Sequence, residues 1–240
     1  MILDNITRIG KRSHKSGDVV CVIPTLNESN TVAEVVSKAK QFAYRVIVVD
    51  GFSEDDTIKR AMEAGAEVIY QEGIWKGLAL RTVFNKIKED VYVIIDGDAT
   101  YNALEMGKII QPIIKGEVDM VIGSRLKGTI QVGSISRKNM FGNKLINFLI
   151  NLLFHGKITD SQSGFRAMSR KAVENMNLSS NGFEIETEMT IKALKQGLRI
   201  RDIPITYVRR TGSQSKLNSF KAGSRILNTI IRSSIRKLKH

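Results

Sequence analysis

Five short runs of β-branched and apolar residues, at 19–23, 45–50, 67–70, 91–96 and 118–123, alternate with segments of helical period. This alternation constrains the fold more than any other feature of the chain. Runs of that length bounded by turn residues read as buried strands. The segments between them, 30–42, 55–64, 79–88 and 104–115, read as helices. Ser29 and Asp55 are placed to cap two helix N-termini, and Gly65 and Gly116 to stop two C-termini. Repeated strand–helix–strand units imply a mostly parallel, doubly wound α/β sheet with helices on both faces. The 240 residues suffice for one substantial domain with a full core. Such sheets bind ligands outside the carboxyl ends of their strands.

The second half changes character. Residues 139–154 form a strongly apolar helix, too short for a membrane span and interrupted by Asn147 and Asn151. Residues 184–196 read as a helix, 199–207 as a strand and 217–238 as a final helix. Residues 1–18 are polar and basic without period and read as a surface extension. No continuous apolar stretch occurs in the first twenty residues, so no secretory leader is expected. The single cysteine, Cys21, lies within the run Val19-Val20-Cys21-Val22-Ile23 and reads as a small buried hydrophobe. Without a disulfide framework, a reducing compartment is the natural setting.

Net charge is +13, and its placement carries more information than its size. From Arg209 to His240 there are nine Lys/Arg and no Asp or Glu; removing those nine lowers +13 to +4. One element therefore carries most of the basic character and should meet an anionic surface. Lys221, Arg225, Asn228, Arg232, Arg236 and Lys239 recur at spacings of three or four, with Phe220, Leu227, Ile230, Ile231, Ile235 and Leu238 opposite. That pattern suits an anionic lipid interface; the alternative is a helix packed on the domain or a partner with a solvated basic face.

Carboxylates follow three of the strands. Pro24-Thr25-Leu26-Asn27-Glu28 follows the first, Asp50 ends the second, and Asp96-Gly97-Asp98 ends the fourth. In a parallel sheet these ends share one edge, so residues distant in sequence converge. Two carboxylates one residue apart suit a hard divalent cation, whose common use there is to neutralise a diphosphate. A GxGxxG phosphate loop is missing after the first strand, so a bound nucleotide would rely on metal rather than on a helix N-terminus. A single Asp at a strand end also reads as a helix cap; three such sites together do not.

With these residues in view, the chain resembles the inverting glycosyltransferases of family 2, which have the nucleotide-sugar-binding GT-A fold. More narrowly it is similar to the dolichyl-phosphate hexose synthases (the dolichyl-phosphate mannose synthase group), closest to archaeal enzymes that place the first sugar on dolichyl phosphate for protein N-glycosylation. The resemblance spans roughly residues 18–216. It rests on Pro24–Glu28, Val48-Val49-Asp50-Gly51, Gly73 with Lys76-Gly77, Asp96-Gly97-Asp98, Gly123-Ser124-Arg125, Ser163-Gly164-Phe165-Arg166, and Arg210 with Ser215-Lys216-Leu217. It implies that Pro24, Leu26 and Glu28 line the nucleotide pocket, that Val48 lies beside the base, and that Asp50 bonds base or ribose. Lys76 belongs to the same donor set. Asp96 and Asp98 would ligate Mg²⁺ or Mn²⁺, with Gly97 admitting the nucleotide to the backbone. Arg125 would bind acceptor phosphate or donor diphosphate, and Arg210 and Lys216 would close over the phosphates. One departure is visible: the family's mannose synthases can use a Gln two residues after the second Asp as a metal ligand, and here that place is Thr100.

The implied reaction moves a hexose from a nucleoside diphosphate sugar (UDP-GlcNAc, UDP-Glc or GDP-mannose) to dolichyl or another polyprenyl phosphate. The enzyme would be peripheral, at the cytoplasmic face of the cell membrane, with no nucleic-acid partner. A phosphate acceptor is largely dianionic near neutral pH, with a second pKa of about 6. It needs cations more than a base, and arginine suits bidentate phosphate contacts. Each of these cations, taken alone, also reads as solvated surface charge. Transfer to a sugar or lipid hydroxyl would instead need a carboxylate base, for which Glu184, in the cluster Glu184, Glu186 and Glu188, is the place to look. Those glutamates also suit the positive end of a helix. A sugar nucleotidyltransferase would open with a Gly-rich basic loop after the first strand. A non-enzymatic lipid or nucleic-acid binder leaves Asp50, Asp96 and Asp98 unexplained.

Overall fold

The computed structural model describes residues 18–73, 75–211 and 219–235, with the side chains of 219 and 220 excepted. Seven strands form one sheet: β1 (Val19–Thr25), β2 (Arg45–Asp50), β3 (Glu67–Tyr70), β4 (Val91–Ile94), β5 (Met120–Ile130), β6 (Arg166–Ser169) and β7 (Ile200–Tyr207). Their order is β3-β2-β1-β4-β6-β5-β7. All pairings are parallel except those of β6, which runs antiparallel to both β4 and β5. The helices are α1 (Val32–Ala39), α2 (Thr57–Glu63), α3 (Lys76–Lys86), α4 (Met106–Ile114), α5 (Arg137–Phe154), α6 (Arg170–Asn175), α7 (Ile185–Lys195) and α8 (Ser219–Ile235).

Strand pleating divides the core. Val19, Cys21 and Ile23 of β1 face α1 and α4, together with Val46, Val48, Val93 and Ile109. Val20 and Val22 face the other side, with Ile47, Val49, Leu80, Met168 and Met189. Cys21 is fully buried, and burial pushes its thiol pKa up, as a structural cysteine requires. A third cluster joins α5, α7 and α8 through Ile146, Ile150, Phe154, Ile191, Ile226 and Ile230.

Every strand and helix anticipated in the first 130 residues forms, β2 and β3 with the expected bounds and the others with shifted ends. The N-cap positions fall at Thr31 and Asp56 rather than Ser29 and Asp55, and neither side chain caps a helix amide. Asp55 instead accepts from the amides of Ser29 and Thr57, tying the start of α2 to the loop after β1. Gly65 and Gly116 do follow the C-caps of α2 and α4, both at positive φ. β6 and α6 were not anticipated: four residues beginning with a fully buried arginine, then a six-residue helix, carry too little apolar period to read. The last helix packs on the domain through Ala222, Ile226 and Ile230, so its described part is no detached tail.

Candidate active site

The carboxyl ends of β1, β2 and β4 lie side by side, Thr25 opposite Asp50 and Val22 opposite Ile94. The chain continuing from each end is tightly turned. Asn27, Phe52 and Ala99 all adopt positive φ, a costly conformation for non-glycine residues that concentrates at functional sites. After β4, Thr100 folds back so that its amide and hydroxyl both donate to Asp98 Oδ1, at 3.1 and 2.6 Å. Gly97 is the only residue the turn admits, because a Cβ there would lie 2.7 Å from Thr25 Cγ2.

Asp96 and Asp98 each meet a cation. Lys76 Nζ, at the first turn of α3, donates to Asp96 Oδ1 at 2.5 Å and contacts Glu186 Oε1 of α7 at 2.7 Å. Arg210, just past β7, contacts Asp98 Oδ2 at 3.1 Å and pairs with Glu28. Burial alone would lower the Lys76 pKa, but the charges of Asp96 and Glu186 outweigh it and hold it above the ordinary lysine value. Gly164 lies against Asp96, where a Cβ would sit 2.5 Å from Oδ2, and its amide donates to the Tyr101 hydroxyl. Gly77 is needed for a different contact: a Cβ there would meet the backbone of Ser180 and Asn181 at 2.5–2.6 Å.

Other residues singled out from the sequence hold different places. Pro24 and Leu26 are half-buried at the strand end, as a pocket lining requires. Val48 is fully buried in the core on the α1 face, because the pleat of β2 turns it inward. Asp50 has no exposed surface, and its oxygens accept from the Ser53 amide (2.7 Å), the Ser53 hydroxyl (2.5 Å) and Thr25 Oγ1 (3.3 Å). These bonds organise the loop after β2. Arg125 follows Ser124, where the pairing of β5 with β7 breaks and resumes at Thr129. The irregularity aims its guanidinium at Asp160, two bonds of 2.8 Å, while its amide donates to the same carboxylate at 2.9 Å. Its fork is thus committed to a buried carboxylate, not open toward solvent. Lys216 lies outside the described residues.

Of the acidic cluster, Glu186 reaches the site and Glu184 does not. Glu184 Oε1 accepts from the Gly182 amide beside a cleft lined by Trp75, Asn181 and Arg225. Glu188 accepts from the amides of Ser179 and Ser180, the Ser179 hydroxyl and Lys192. Burial opposes its charge, yet those donors lower its pKa to about 2. The sequence pointed to Glu184 rather than Glu186 within this cluster because nothing local separates the two; only helix phase carries Glu186 to Lys76. Phe52 and Tyr70 escaped the sequence reading: two exposed rings stacked 5.8 Å apart at the carboxyl ends of β2 and β3.

The sequence model of the glycosyl transferase family 2 matches residues 20–176, nearly two thirds of the chain. The chain is a family-2 glycosyltransferase. It is 36% identical to the glycosyltransferase AglJ of Haloferax volcanii over 90% of its own length and 72% of that protein's. It is 27% identical to the UDP-N-acetylglucosamine–dolichyl-phosphate N-acetylglucosaminyltransferase of Methanococcus voltae (89% and 94%) and 29% identical to a dolichyl-phosphate hexose transferase of H. volcanii (90% and 93%). Among solved structures, glucosyl-3-phosphoglycerate synthase of Mycobacterium tuberculosis, crystallised with Mn²⁺, uridine diphosphate and its product, superposes with a TM-score of 0.73. That likeness covers 90% of this chain and 79% of that one at 23% identity, and it shows the GT-A fold. The transferase thus places Asp96 and Asp98 at the carboxyl edge of a GT-A sheet, each already facing positive charge.

Proposed function

We propose that this transferase moves a hexose from a nucleoside diphosphate sugar to a polyprenyl phosphate of the dolichyl type, with inversion at the anomeric carbon. The observation that carries the reading is the pairing of Asp96 and Asp98 with Lys76 and Arg210 at the sheet edge. Two hard carboxylates one residue apart, facing charges that demand compensation, fit a divalent ion completed by substrate phosphates. Among the described residues no third His, Cys, Asp or Glu joins them, so a bound metal would take its other ligands from the diphosphate or water. When bound, Mg²⁺ or Mn²⁺ would stabilise the negative charge of the departing diphosphate. Arg210 stands beside Asp98, placed to offset phosphate charge, with Lys216 following it in sequence. Pro24, Leu26 and the stacked Phe52 and Tyr70 offer apolar contact for the base. The attacking phosphate oxygen is already anionic, so no carboxylate base is required. Names of relatives that act on dolichyl phosphate support this acceptor.

A polyprenyl acceptor places the enzyme at a membrane. Among the described residues no helix is long and apolar enough to cross one. Phe141, Leu145, Phe148 and Leu152 recur along the outer side of α5, at 72, 46, 60 and 59% exposure. On the adjoining α8, Leu227, Ile231 and Ile235 are likewise exposed. Exposed apolar stripes of this size, near the cations Lys138, Lys144 and Arg232, support peripheral contact with an anionic, cytoplasmic leaflet.

A hydroxyl acceptor is the second reading, and Glu186, buried beside the site, favours it as the carboxylate base. The deciding experiment is a donor screen with dolichyl phosphate and with hydroxyl glycans, followed by mass spectrometry of the products. Transfer to a hydroxyl glycan but not to the lipid phosphate would sink the first reading.

A further inference from the structure

The two aspartates are neutralised in the same unusual way. Each faces a cation, and each cation also holds a second carboxylate farther along: Asp96–Lys76–Glu186 and Asp98–Arg210–Glu28. The second carboxylates come from elements unrelated to the β4 turn, Glu186 from the first turn of α7 and Glu28 from the loop before α1. Both are buried, at 4 and 7% exposure. A buried carboxylate is costly unless a cation meets it, so each arrangement gives its cation two places to rest. The four carboxylates and two cations linked by these ion pairs carry a formal charge of −2, which one divalent cation would balance.

We propose that Glu186 and Glu28 are positioning residues that park Lys76 and Arg210. Each cation occupies its aspartate until a divalent ion and diphosphate arrive, then withdraws onto its glutamate. The inference rests on the metal reading above and goes beyond it. Coulomb's law supplies the physical reason. An ammonium 2.5 Å from Asp96 Oδ1 would compete electrostatically with a divalent ion for that carboxylate. A cation with nowhere else to go would compete with the ion throughout turnover. One that vanished would leave Asp96 and Asp98 repelling each other in the metal-free protein. A second anion within reach solves both problems. It also keeps the positive charge beside the site for incoming phosphates. Arg166, fully buried in contact with Ser161, Ser163 and Thr190, lies near Glu186 but makes no ion pair with it, so Lys76 alone holds Glu186 by a salt bridge among the described residues.

The test is Mn²⁺ binding to the full-length protein, measured by electron paramagnetic resonance or calorimetry with and without uridine diphosphate. Lys76→Gln and Arg210→Gln should bind Mn²⁺ alone more tightly than wild type, because the competing cation is gone. Their metal-free forms should melt earlier, with the difference recovered on adding Mn²⁺. Glu186→Gln, isosteric and unable to accept the ammonium's charge, should bind Mn²⁺ about 10-fold more weakly, the usual effect of losing a group that supports a metal ligand. Its activity should return at saturating Mn²⁺. Loss of turnover that Mn²⁺ does not restore, with metal affinity unchanged, would mark Glu186 as a base and overturn the parking role. Unaltered Mn²⁺ affinity in both Lys76→Gln and Arg210→Gln overturns this inference alone. A wild type that binds no Mn²⁺, even with uridine diphosphate, overturns the metal reading and this inference with it. Circular dichroism of each variant separates these outcomes from misfolding.

Discussion

Gly164 leaves Asp96 no room to move, since an added methyl group would sit 2.5 Å from its carboxylate. Gly164→Ala should therefore displace Asp96, the proposed metal ligand, without removing it. Mn²⁺ titration should show affinity lower by about 10- to 100-fold, with the far-ultraviolet spectrum unchanged. Asp96→Ala and Asp98→Ala should abolish transfer, and a chelator should do the same to wild type; transfer surviving both would disprove the metal role. Glu188 belongs to structure rather than chemistry. Its pKa falls from 4.5 to about 2 on folding, so its stabilising contribution is present above pH 4.5 and is lost as pH falls toward 2. Glu188→Gln should lower stability at neutral pH and flatten the acid limb of the melting curve between those two values, a difference read by thermal denaturation. At this scale the sequence singled out Asp96 and Asp98 by their spacing and strand-end position, and the structure sets each beside a cation, Lys76 and Arg210. The sequence did not foresee the protein partners of Asp50 and Arg125. Whether a carboxylate or guanidinium points out of a site or into a neighbouring loop depends on partners, Ser53 and Asp160, that no local pattern announces.

At the scale of elements, α8 has three sides where the sequence offered two. Ile226 and Ile230 pack on α5 and α7, Leu227, Ile231 and Ile235 are exposed, and Arg225 and Arg232 line the cleft near Trp75. Removing the whole helix would therefore strip the third core cluster. Point changes separate the roles. Ile226→Ala should cost about 2–5 kcal/mol, as for other large-to-small core changes. Ile231→Ser and Phe148→Ser, at exposed positions, should change stability by about 0.5 kcal/mol or less. If the stripe meets lipid, the same two changes should reduce flotation with anionic liposomes; flotation equal to wild type would show that the stripe does not touch the membrane. Helical period revealed that α8 is amphipathic. It could not reveal which apolar residues would find α5 and α7, because that depends on the angle at which the helix lands.

For the whole molecule, charge and topology set the remaining expectation. With a net charge of +13, the protein should detach from anionic vesicles as salt rises, since exposed charges are screened over about 8 Å at physiological ionic strength. Attachment that ignores salt would assign binding to the apolar stripes alone. The sequence by itself determined the α/β alternation, the parallel half-sheet and the strand-end carboxylates. Each of these is encoded locally, by side-chain period and by turn residues. Only the tertiary structure decided the rest: the antiparallel insertion of β6, the turning inward of Val48 and Asp50, and the union of Lys76 with Glu186 and of Arg210 with Glu28. These partners stand 110 and 182 residues apart in the chain. What brings them together is the burial of charge, which finds its partner across space and leaves no period in the sequence.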